Sequence, residues 1–517
     1  MSVMPTGNKK IAQNTIALYI RMIVQMLIGL YTSRVVLQVL GVDDFGIYNV
    51  VGSVTAMFSF VNGAMSNATM RFVTFELGRR DEKRLNEVFC TSVNIHLIIA
   101  VITILILDTA GIWFLYNKMT ISPHRIVAAF WVLQISIVTC IINIINVPYN
   151  ACIIAHEKMG AFAFLSLFQS ITILLFVMLL TSIDGDKLIL YALILMIVQM
   201  IIQIMYWIYC RKNFSETSYN IIWKKDIMKE MARFAGWTMN GNIAWLAYTQ
   251  GLNILINVFF GPAVNAARGI AYTVQSKIVG FCDSFQIAVS PQITKSLSVG
   301  DYERMHFLIL NSSRFSFYLL LVLSLPVYVG LDEILRLWLG IVPKYTANFV
   351  RIILFCSAVD VLRNPLNSAV HATGNIKKYQ LWEANTLLLI IPLAYVLLKM
   401  GYSAEWAFGV QLFIFVIVQI ERIIIVCPQI RMKKNTYFKE LIIPVVKVLL
   451  LSIIIPCIID YCFPIKEGEI LQLLLSILIA IINCIVCVYL FGLKDTEKEK
   501  VCTLFISKIR ALYLNKD

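Results

Sequence analysis

Charged residues are scarce in this chain of 517 residues: only 14% are Asp, Glu, Lys or Arg, whereas 59% are hydrophobic. Soluble domains have about 25% charged and about 45–50% apolar residues. A shortage of charge over the whole length excludes a soluble globular domain, a disordered chain and a secreted disulfide framework. Because backbone polar groups in lipid must be satisfied within each segment, we predict an all-α polytopic membrane protein.

Motifs of catalysis, nucleotide binding and metal binding are also missing. The sequence contains no GxxxxGK[ST] loop, no GxGxxG and no HExxH, and its five histidines are isolated. Cys484 and Cys487 form a CxxC in an apolar stretch, without the second ligand pair of a structural zinc site. We therefore expect no enzyme activity, no cofactor and no bound metal. A nucleic-acid partner is not expected either, because basic loops beside a membrane explain the net charge of +14.

Apolar stretches long enough to cross a bilayer, at about 20 residues each, occur fourteen times. Their predicted bounds are 12–39, 45–70, 88–115, 126–148, 160–182, 188–210, 236–260, 264–290, 305–330, 346–370, 380–400, 406–427, 441–460 and 469–491. With fourteen spans, the two termini share a side with the even-numbered loops. That side holds 28 Lys and Arg residues and the other side holds 7. Because cytoplasmic loops collect basic residues, both termini are predicted to be cytoplasmic.

Self-comparison at an offset of about 220 residues finds three matches in consistent order. They are Leu40-Gly41 with Phe260-Gly261, residues 71–78 with 292–300, and a P-x-N-x4-A pattern at 148–155 with 365–372. Chance similarity at helix ends is the alternative to a repeat. A repeat of six spans predicts two lobes related by a pseudo-twofold axis along the membrane normal, with a substrate path between the lobes. The predicted divisions are an N-lobe at 1–210, a C-lobe at 211–430, two accessory spans at 431–491 and a cytoplasmic basic tail at 492–517.

Basic residues inside the spans point to the substrate. Each costs about 2.5–3.5 kcal/mol at a helix centre. Lys277 and Arg314 lie near mid-span, too deep to reach the headgroups easily, and Arg21 and Arg268 lie at intermediate depth. We predict that they line a cationic cavity for an anion such as a diphosphate, which Arg and Lys bind well. Buried structural ion pairing is the alternative.

Polar stripes on the first helix of each repeat unit support a hydrated cavity. One stripe is formed by Asn14, Arg21, Gln25 and Thr32, and the other by Asn242, Thr249 and Asn253. Positions spaced by seven and eleven residues share one face of a helix, and a polar face in lipid must contact protein or water. Hydrogen bonding between helices is the alternative.

Without a nucleotide-binding motif, transport has to follow an ion gradient or the substrate gradient. Asp283 and Asp360 are the deepest carboxylates and are the candidates for ion coupling. Asp360 also precedes Arg363 by one helical turn, so that a structural ion pair is the alternative for this residue.

Short segments of the chain resemble the O-antigen and polysaccharide flippases (Wzx-type) of the multidrug/oligosaccharidyl-lipid/polysaccharide exporter superfamily. They include Asn14-Thr15, Arg21, Ser33-Arg34, residues 40–48 and 256–261, and the segment from Pro365 to Asn375. The resemblance implies a two-lobed transporter of the bacterial inner membrane that works by alternating access. It would translocate undecaprenyl-diphosphate-linked repeat units for O-antigen or capsule assembly. The implied partners are the lipid-linked oligosaccharide, membrane lipids and polysaccharide polymerase machinery.

Two other functions compete with this interpretation. A drug–cation antiporter of the same superfamily needs a deep carboxylate in the first lobe, and the spans of that lobe have none. A membrane enzyme of polysaccharide assembly usually has a large outer loop or an acidic motif, whereas the longest predicted outer loop here spans only residues 331–345.

The predicted topology can be tested with reporter fusions. Fusions after Arg80, Lys225, Lys433 and Lys500 should report a cytoplasmic location, because these loops hold most of the basic residues. Fusions after Gly185 and Pro343 should report the periplasm. A periplasmic signal at Lys225 would overturn both the number of spans and the repeat.

Overall fold

The computed structural model describes residues 4–56, 59–117, 123–339, 341–462, 469–495 and 497–499. These ranges are helical almost throughout and contain no β-strand, which confirms the all-α prediction. Most of the predicted basic tail, residues 500–517, lies outside the described residues. The helices are α1 Met4–Ala56, α2 Ser59–Arg79, α3 Glu82–Ile106, α4 Ile112–Asn117, α5 Ile126–Ala155, α6 Met159–Leu179, α7 Lys187–Asn213, α8 Lys225–Ser298, α9 Tyr302–Val329, α10 Leu331–Leu339, α11 Thr346–Asp360, α12 Arg363–Thr373, α13 Lys377–Leu388, α14 Ile390–Lys399, α15 Glu405–Gln429, α16 Lys434–Tyr437, α17 Ile443–Cys462 and α18 Ile470–Cys487.

Ten helical segments of the described chain are long and apolar enough to cross a membrane, which makes this a multi-pass membrane protein. Four predicted spans are not among the ten: 45–70, 264–290, 346–370 and 441–460. The predicted span at 346–370 is divided into α11 and α12, and the one at 264–290 is diluted by charged residues. The total of fourteen spans therefore stays a prediction.

Two long helices are each broken at one glycine. Gly41 divides α1 with φ 74° and ψ 175°, and Gly261 divides α8 with φ 81° and ψ 179°. Glycine adopts a positive φ without the steric penalty of a Cβ atom. Both breaks occur at the positions that the predicted repeat aligns.

Residues with a positive φ recur along the chain at the same spacing of about 220 residues. Four such pairs occur along the described chain: Gly41 with Gly261, Arg80 with Gly300, Glu157 with Gly374, and Gly185 with Gly401. Each pair breaks or ends a helix at a corresponding place in the two halves. This regularity of the backbone favours the repeat, although the limits of the predicted lobes remain a prediction.

The chain forms two compact units. Unit 1 comprises residues 1–246, 284–305 and 368–385, and unit 2 comprises 247–283, 306–367 and 386–517. In unit 1, α5 packs against α2, α3 and α7, and α1 packs against α6. In unit 2, α15 packs against α11 and α14, and α17 packs against α18. Unit 1 thus contains short segments of the second half of the sequence together with the first half.

Three segments at the predicted outer end of unit 1 meet at Arg125. Its Nε donates to Asp44 at 2.9 Å and its Nη1 donates to Asp186 at 2.7 Å. Asp186 also caps the start of α7 by accepting from the backbone N–H of Leu188. Partial burial would raise the pKa of Asp186, but the hydrogen bonds and charge of Arg125 outweigh burial and lower it.

Glu157 joins three segments at the predicted cytoplasmic end of unit 1. It follows α5 with a positive φ, and it is only 3% exposed. Its carboxylate accepts from Lys295 Nζ at 2.6 Å and from Gln292 Nε2 at 2.7 Å, and Lys10 Nζ lies 3.2 Å away. The end of α8 is therefore held against the turn that follows the first P-x-N-x4-A pattern.

Arg71 makes the corresponding contact with the turn that follows the second P-x-N-x4-A pattern. Its Nη2 lies 3.4 Å from the carbonyl oxygen of Ala372, near the end of α12. It also lies so close to Gly374 that a Cβ there would approach it to 2.6 Å. The guanidinium covers the rings of Phe72 and Phe75 at 4.4 and 5.0 Å.

These two contacts are reciprocal. The end of α2 holds the turn after α12, and the end of α8 holds the turn after α5. The ends of α2 and α8 also touch each other, because a Cβ on Gly78 would overlap Ser298 Oγ at 1.7 Å. We call the Glu157 and Arg71 contacts together the reciprocal contacts.

Replacing Glu157 with Gln should destabilise the protein at neutral pH. Burial alone would raise the pKa of Glu157, but the ammonium of Lys295, its hydrogen bond and Lys10 outweigh burial and lower it. Because the folded-state pKa lies below the usual 4.5, the stabilisation is complete above that pH and is lost as pH falls through the folded-state pKa. We expect Glu157→Gln to lower the free energy of unfolding by about 1–3 kcal/mol at pH 7.

Thermal unfolding in detergent, followed by circular dichroism at pH 7 and at pH values below 4.5, measures this effect. The difference between wild type and Glu157→Gln should shrink as pH falls below 4.5, and it should be lost below the folded-state pKa, where the wild-type carboxylate is protonated. Glu303→Gln is the matched control, because Glu303 is exposed and surface changes usually stay within about 0.5 kcal/mol. Equal stability of the wild type and Glu157→Gln at pH 7 would contradict a stabilising role for the ionised carboxylate of Glu157.

Candidate functional site

Arg21 is the cation of a polar cluster in unit 1. Its guanidinium carbon lies 4.6 Å from the ring centroid of Phe162 on α6, and Tyr206 on α7 is within electrostatic range. The Nε atom is buried and has no hydrogen-bond partner in the described structure. No described carboxylate forms an ion pair with Arg21, so the positive charge of this cluster is not neutralised.

Amide and hydroxyl groups also connect the three helices that contribute to this cluster. Gln25 of α1 donates to the carbonyl oxygen of Ser166 at 3.1 Å and to Ser170 Oγ at 3.2 Å. Gln169 donates to Gln199 at 2.8 Å, which connects α6 to α7. Gln25 therefore makes the hydrogen bonds between helices that were the alternative to a hydrated cavity.

The other members of the first polar stripe are less well satisfied. Asn14 is 8% exposed, and its Nδ2 is buried without a hydrogen-bond partner among the described residues. The hydroxyl oxygen of Thr32 is also buried without a hydrogen-bond partner among the described residues. These polar atoms are available to a ligand or to water rather than being used in helix packing.

The sequence analysis missed the contribution of α7 to this cluster. Gln199, Gln203 and Tyr206 are spaced by four and three residues, which places them on one face of an apolar helix. Ser166 hydrogen-bonds the Tyr206 hydroxyl, and the side-chain oxygen of Gln203 is buried without a partner in the described ranges. The same test for polar stripes, applied to the sixth span, would have found these residues.

Arg268 lies after the break at Gly261 and contacts the part of α8 before the break. Its Nη2 donates to the carbonyl oxygen of Thr249 at 2.7 Å. The guanidinium carbon lies 4.6 Å from the ring centroid of Tyr272, whose hydroxyl donates to Gln411 at 3.3 Å. In the described part of unit 2 no carboxylate pairs with Arg268, so this charge is oriented but not neutralised.

Lys277 is exposed and has no ionic partner among the residues that the structure describes. On the second polar stripe, Asn253 donates to Gln250 at 3.3 Å. Asn242 lies in unit 1, where its amide nitrogen is 3.8 Å from the position that a Cβ on Gly63 would occupy. The second stripe thus has members in both compact units.

Arg314 differs from the other three predicted cations. It is 2% exposed, forms an ion pair with Glu497 and donates to Asn311 at 2.6 Å. Glu497 also accepts from the backbone N–H of Lys494, so the segment after α18 is docked on α9. Arg314 therefore has the structural pairing that the sequence analysis gave as the alternative, and its part in an anion site stays a prediction.

The two candidate coupling carboxylates have different surroundings in unit 2. Asp283 is exposed, and it accepts a hydrogen bond from Asn364 at 3.1 Å. Asp360 lies 3.5 Å from Arg363 and 3.7 Å from Arg422, which is 3% exposed. Two neighbouring guanidinium groups compete with a bound cation at Asp360, so Asp283 is the better candidate.

Arg21 lies in unit 1, and Arg268 and Lys277 lie in unit 2. Their joining in one anion site stays a prediction. Arg21, Arg268 and Lys277 have no carboxylate partner in the described ranges, and arginine can offer paired donors to phosphate oxygens. Within those ranges no group of three or more His, Cys, Asp or Glu residues is arranged to hold a metal ion. The described side chains thus offer cationic and polar groups, and no metal-assisted chemistry is assigned to them.

Solved structures show that this fold is that of MATE transporters. A mutant MATE protein has a TM-score of 0.71 and 14% identity, covering 82% of this chain and 97% of its own. An outward-facing multidrug resistance MATE transporter of the MOP superfamily gives 0.69 and 14%, covering 84% and 97%. A MOP superfamily transporter from Pyrococcus furiosus, described as having a binding pocket of reversed polarity, gives 0.67 and 14%, covering 83% and 96%.

Sequence comparison assigns the family. No curated protein matches the chain. The family model described as polysaccharide biosynthesis protein matches residues 11–297, which is more than half of the chain. This match confirms the resemblance that the short segments of the sequence predicted. The chain belongs to the polysaccharide biosynthesis protein family.

Proposed function

We propose that this protein is a flippase for lipid-linked oligosaccharides. It translocates polyprenyl-diphosphate-linked repeat units across the bacterial inner membrane by alternating access, for the assembly of O-antigen or capsule. The single observation that carries the proposal is the charge of the candidate site. Arg21, Arg268 and Lys277 lie in predicted spans and have no carboxylate partner among the described residues.

The charge pattern favours a diphosphate over an organic cation. An uncompensated positive charge in a site of low dielectric attracts anions strongly and repels cations. A diphosphate accepts charge-assisted hydrogen bonds from several donors at once. One structural relative is itself described as having a binding pocket of reversed polarity. A drug–cation antiporter would need a deep carboxylate to hold its substrate, whereas Arg21 places a positive charge in unit 1.

Alternating access requires contacts that close one side and can be broken. The reciprocal contacts at Glu157 and Arg71 join the ends of helices that lie on the predicted cytoplasmic side of unit 1. We infer that they keep the cytoplasmic entrance closed in this conformation. Opening toward the cytoplasm would separate Glu157 from Lys295, and the two charged groups would then be hydrated.

The proposed location and partners follow from this function. We propose that the protein lies in the inner membrane with both termini in the cytoplasm. The lipid-linked unit is assembled on that cytoplasmic side. The partners are the lipid-linked oligosaccharide, the membrane lipids and the polymerase machinery that consumes the translocated unit.

Substitution of the unpaired cations tests the anion site. Arg21→Ala, Arg268→Ala and Lys277→Ala should each lower transport by about 10–100-fold, the effect of losing one charge-assisted hydrogen bond. Thermal stability should change little in Arg21→Ala and Lys277→Ala, because no folded-state ion pair is lost, whereas Arg268→Ala also loses the hydrogen bond to Thr249. Arg21→Lys should recover only part of the activity, since an ammonium group lacks the fork of the guanidinium. Surface polysaccharide at matched membrane levels is the measurement.

Two controls separate binding from folding. Lys399→Ala removes an exposed lysine outside the candidate site and should leave surface polysaccharide unchanged. Arg314→Ala breaks the buried pair with Glu497 and should reduce thermal stability and membrane level first. Normal polysaccharide from well-expressed Arg21→Ala, Arg268→Ala and Lys277→Ala proteins would refute the cationic site.

The coupling carboxylate can be identified by a pair of substitutions. If an ion gradient drives transport through Asp283, Asp283→Asn should abolish the response of the transport rate to that gradient. Asp360→Asn should instead lower stability, because it removes a carboxylate beside the buried guanidinium of Arg422. Transport by Asp283→Asn that still responds to the gradient would exclude Asp283.

A further inference from the structure

Unit 2 contains a cavity that takes no part in the proposed anion site. It has a volume of about 350 Å³ and is enclosed by α9, α11 and α17, with α10 at one end. Most of its lining is apolar, and includes Leu321, Leu325, Leu354, Phe355, Leu449 and Ile453. An apolar cavity of about 150 Å³ stays dry and can hold benzene, so a larger one within a membrane offers room for hydrocarbon rather than water.

The polarity of the lining changes from one end of the cavity to the other. Arg351 and Asp332 form an ion pair of 2.6 Å at the end where α9 finishes and α11 begins. The guanidinium carbon of Arg351 also lies 5.8 Å from the ring centroid of Tyr328. Seven residues further along α11, about 10 Å deeper, the lining at Ala358 is apolar. The cavity is thus charged and aromatic at its mouth and apolar in its depth.

This polarity matches the position of the helices in a bilayer. The end of α9 and the start of α11 are the ends of predicted spans, where arginine and tyrosine lie at the headgroup level. Phe355 is 38% exposed, so one side of the cavity reaches the surface of the helices. A molecule entering from the bilayer would meet hydrocarbon surface along its chain and a guanidinium at its head.

We propose that this cavity is a binding site for a bilayer phospholipid. One acyl chain fills the space enclosed by α9, α11 and α17, and the phosphate replaces or joins Asp332 as a partner of Arg351. The site gives a function to α17, which belongs to the predicted accessory spans. The acyl chain packs both against α17 and against two helices of the predicted second repeat unit. None of the residues proposed to bind the diphosphate lines this cavity.

A phospholipid fits better than the other candidate occupants. Water would find few hydrogen-bond partners along the apolar depth of the cavity. A polyprenyl chain carries a methyl branch on each unit, whereas an unbranched acyl chain can follow the narrow space along α11 and α17. Bilayer phospholipids are also present at far higher concentration than any transport substrate, and occupancy follows concentration by mass action.

Native mass spectrometry of the full chain, released from detergent micelles, tests the site. Wild type should retain one phospholipid, and Ile453→Trp should lose about nine-tenths of that occupancy because the indole fills the cavity. Ile454→Trp is the matched control, since Ile454 is 49% exposed on the same helix and does not line the cavity. Arg351→Gln should lower retention by about tenfold, the loss of one charge-assisted contact, whereas Arg336→Gln should not.

A second measurement on the wild type does not depend on how these variants fold. A phosphatidylglycerol with a photoreactive group in its acyl chain should crosslink mainly to residues 320–329, 351–358 and 449–456. The proposal is overturned if wild type retains no lipid, if Ile453→Trp and Ile454→Trp retain equal amounts, or if crosslinks spread evenly over the helices. Retention of polyprenyl phosphate in place of phospholipid also overturns it. Because the anion-site variants keep the cavity intact, they should retain the lipid even if the proposed transport function fails.

Discussion

The buried carboxylate of Glu157 is the interaction on which the arrangement of unit 1 depends. A buried carboxylate is stable only where cations and donors compensate its desolvation, and here Lys295, Gln292 and Lys10 do so. These partners come from segments far apart in the sequence, so one charged group fixes the place of the end of α8 beside α1 and α5. Arg71 fixes the place of the turn after α12 beside the end of α2, and it does so with a guanidinium in place of a carboxylate. The reciprocal contacts join corresponding helix ends but differ in chemistry, since one uses a carboxylate and the other a guanidinium.

A second physical constraint concerns the cations in the spans. Lipid makes an unneutralised charge expensive, and protein chains usually remove the charge by pairing it. The chain follows that rule at Arg314 and Arg422 but not at Arg21, Arg268 or Lys277. Arg21 and Arg268 lie against aromatic rings, Arg268 also donates to a carbonyl oxygen, and Lys277 is exposed. The difference gives a physical reason for separating structural cations from functional ones. Desolvation that is not offset in the free protein can be offset by an anionic substrate, and this links the charge pattern to the proposed transport of a diphosphate.

The sequence predicted those features that depend on composition or on residues close together along the chain. The helical class, the family resemblance and the glycine breaks at Gly41 and Gly261 follow from composition and from short segments. Depth in a span was a weaker guide to function, since it grouped Arg314 with Arg21 although only Arg314 has a carboxylate partner. That partner, Glu497, lies 183 residues further along the chain, and no periodicity can reveal such a pair. The polar face of α7 was missed for a different reason: polar stripes were sought on the first helix of each predicted repeat unit and not on the sixth span.

The exposure of the cations separates ion pairs that can open from those that cannot. In the pair of Lys295 with Glu157 the lysine side chain is 26% exposed, and that of Lys10 is 45% exposed. Separating this pair hydrates the lysine readily, but Glu157, whose side chain is 2% exposed, stays a buried carboxylate unless water enters. The side chains of Arg314 and Arg422 are only 2% and 3% exposed, so separating them from their carboxylates would leave a bare charge in the interior. The proposed opening at Glu157 therefore requires water to reach the carboxylate, whereas in the Arg314 and Arg422 pairs it is the cation that is buried.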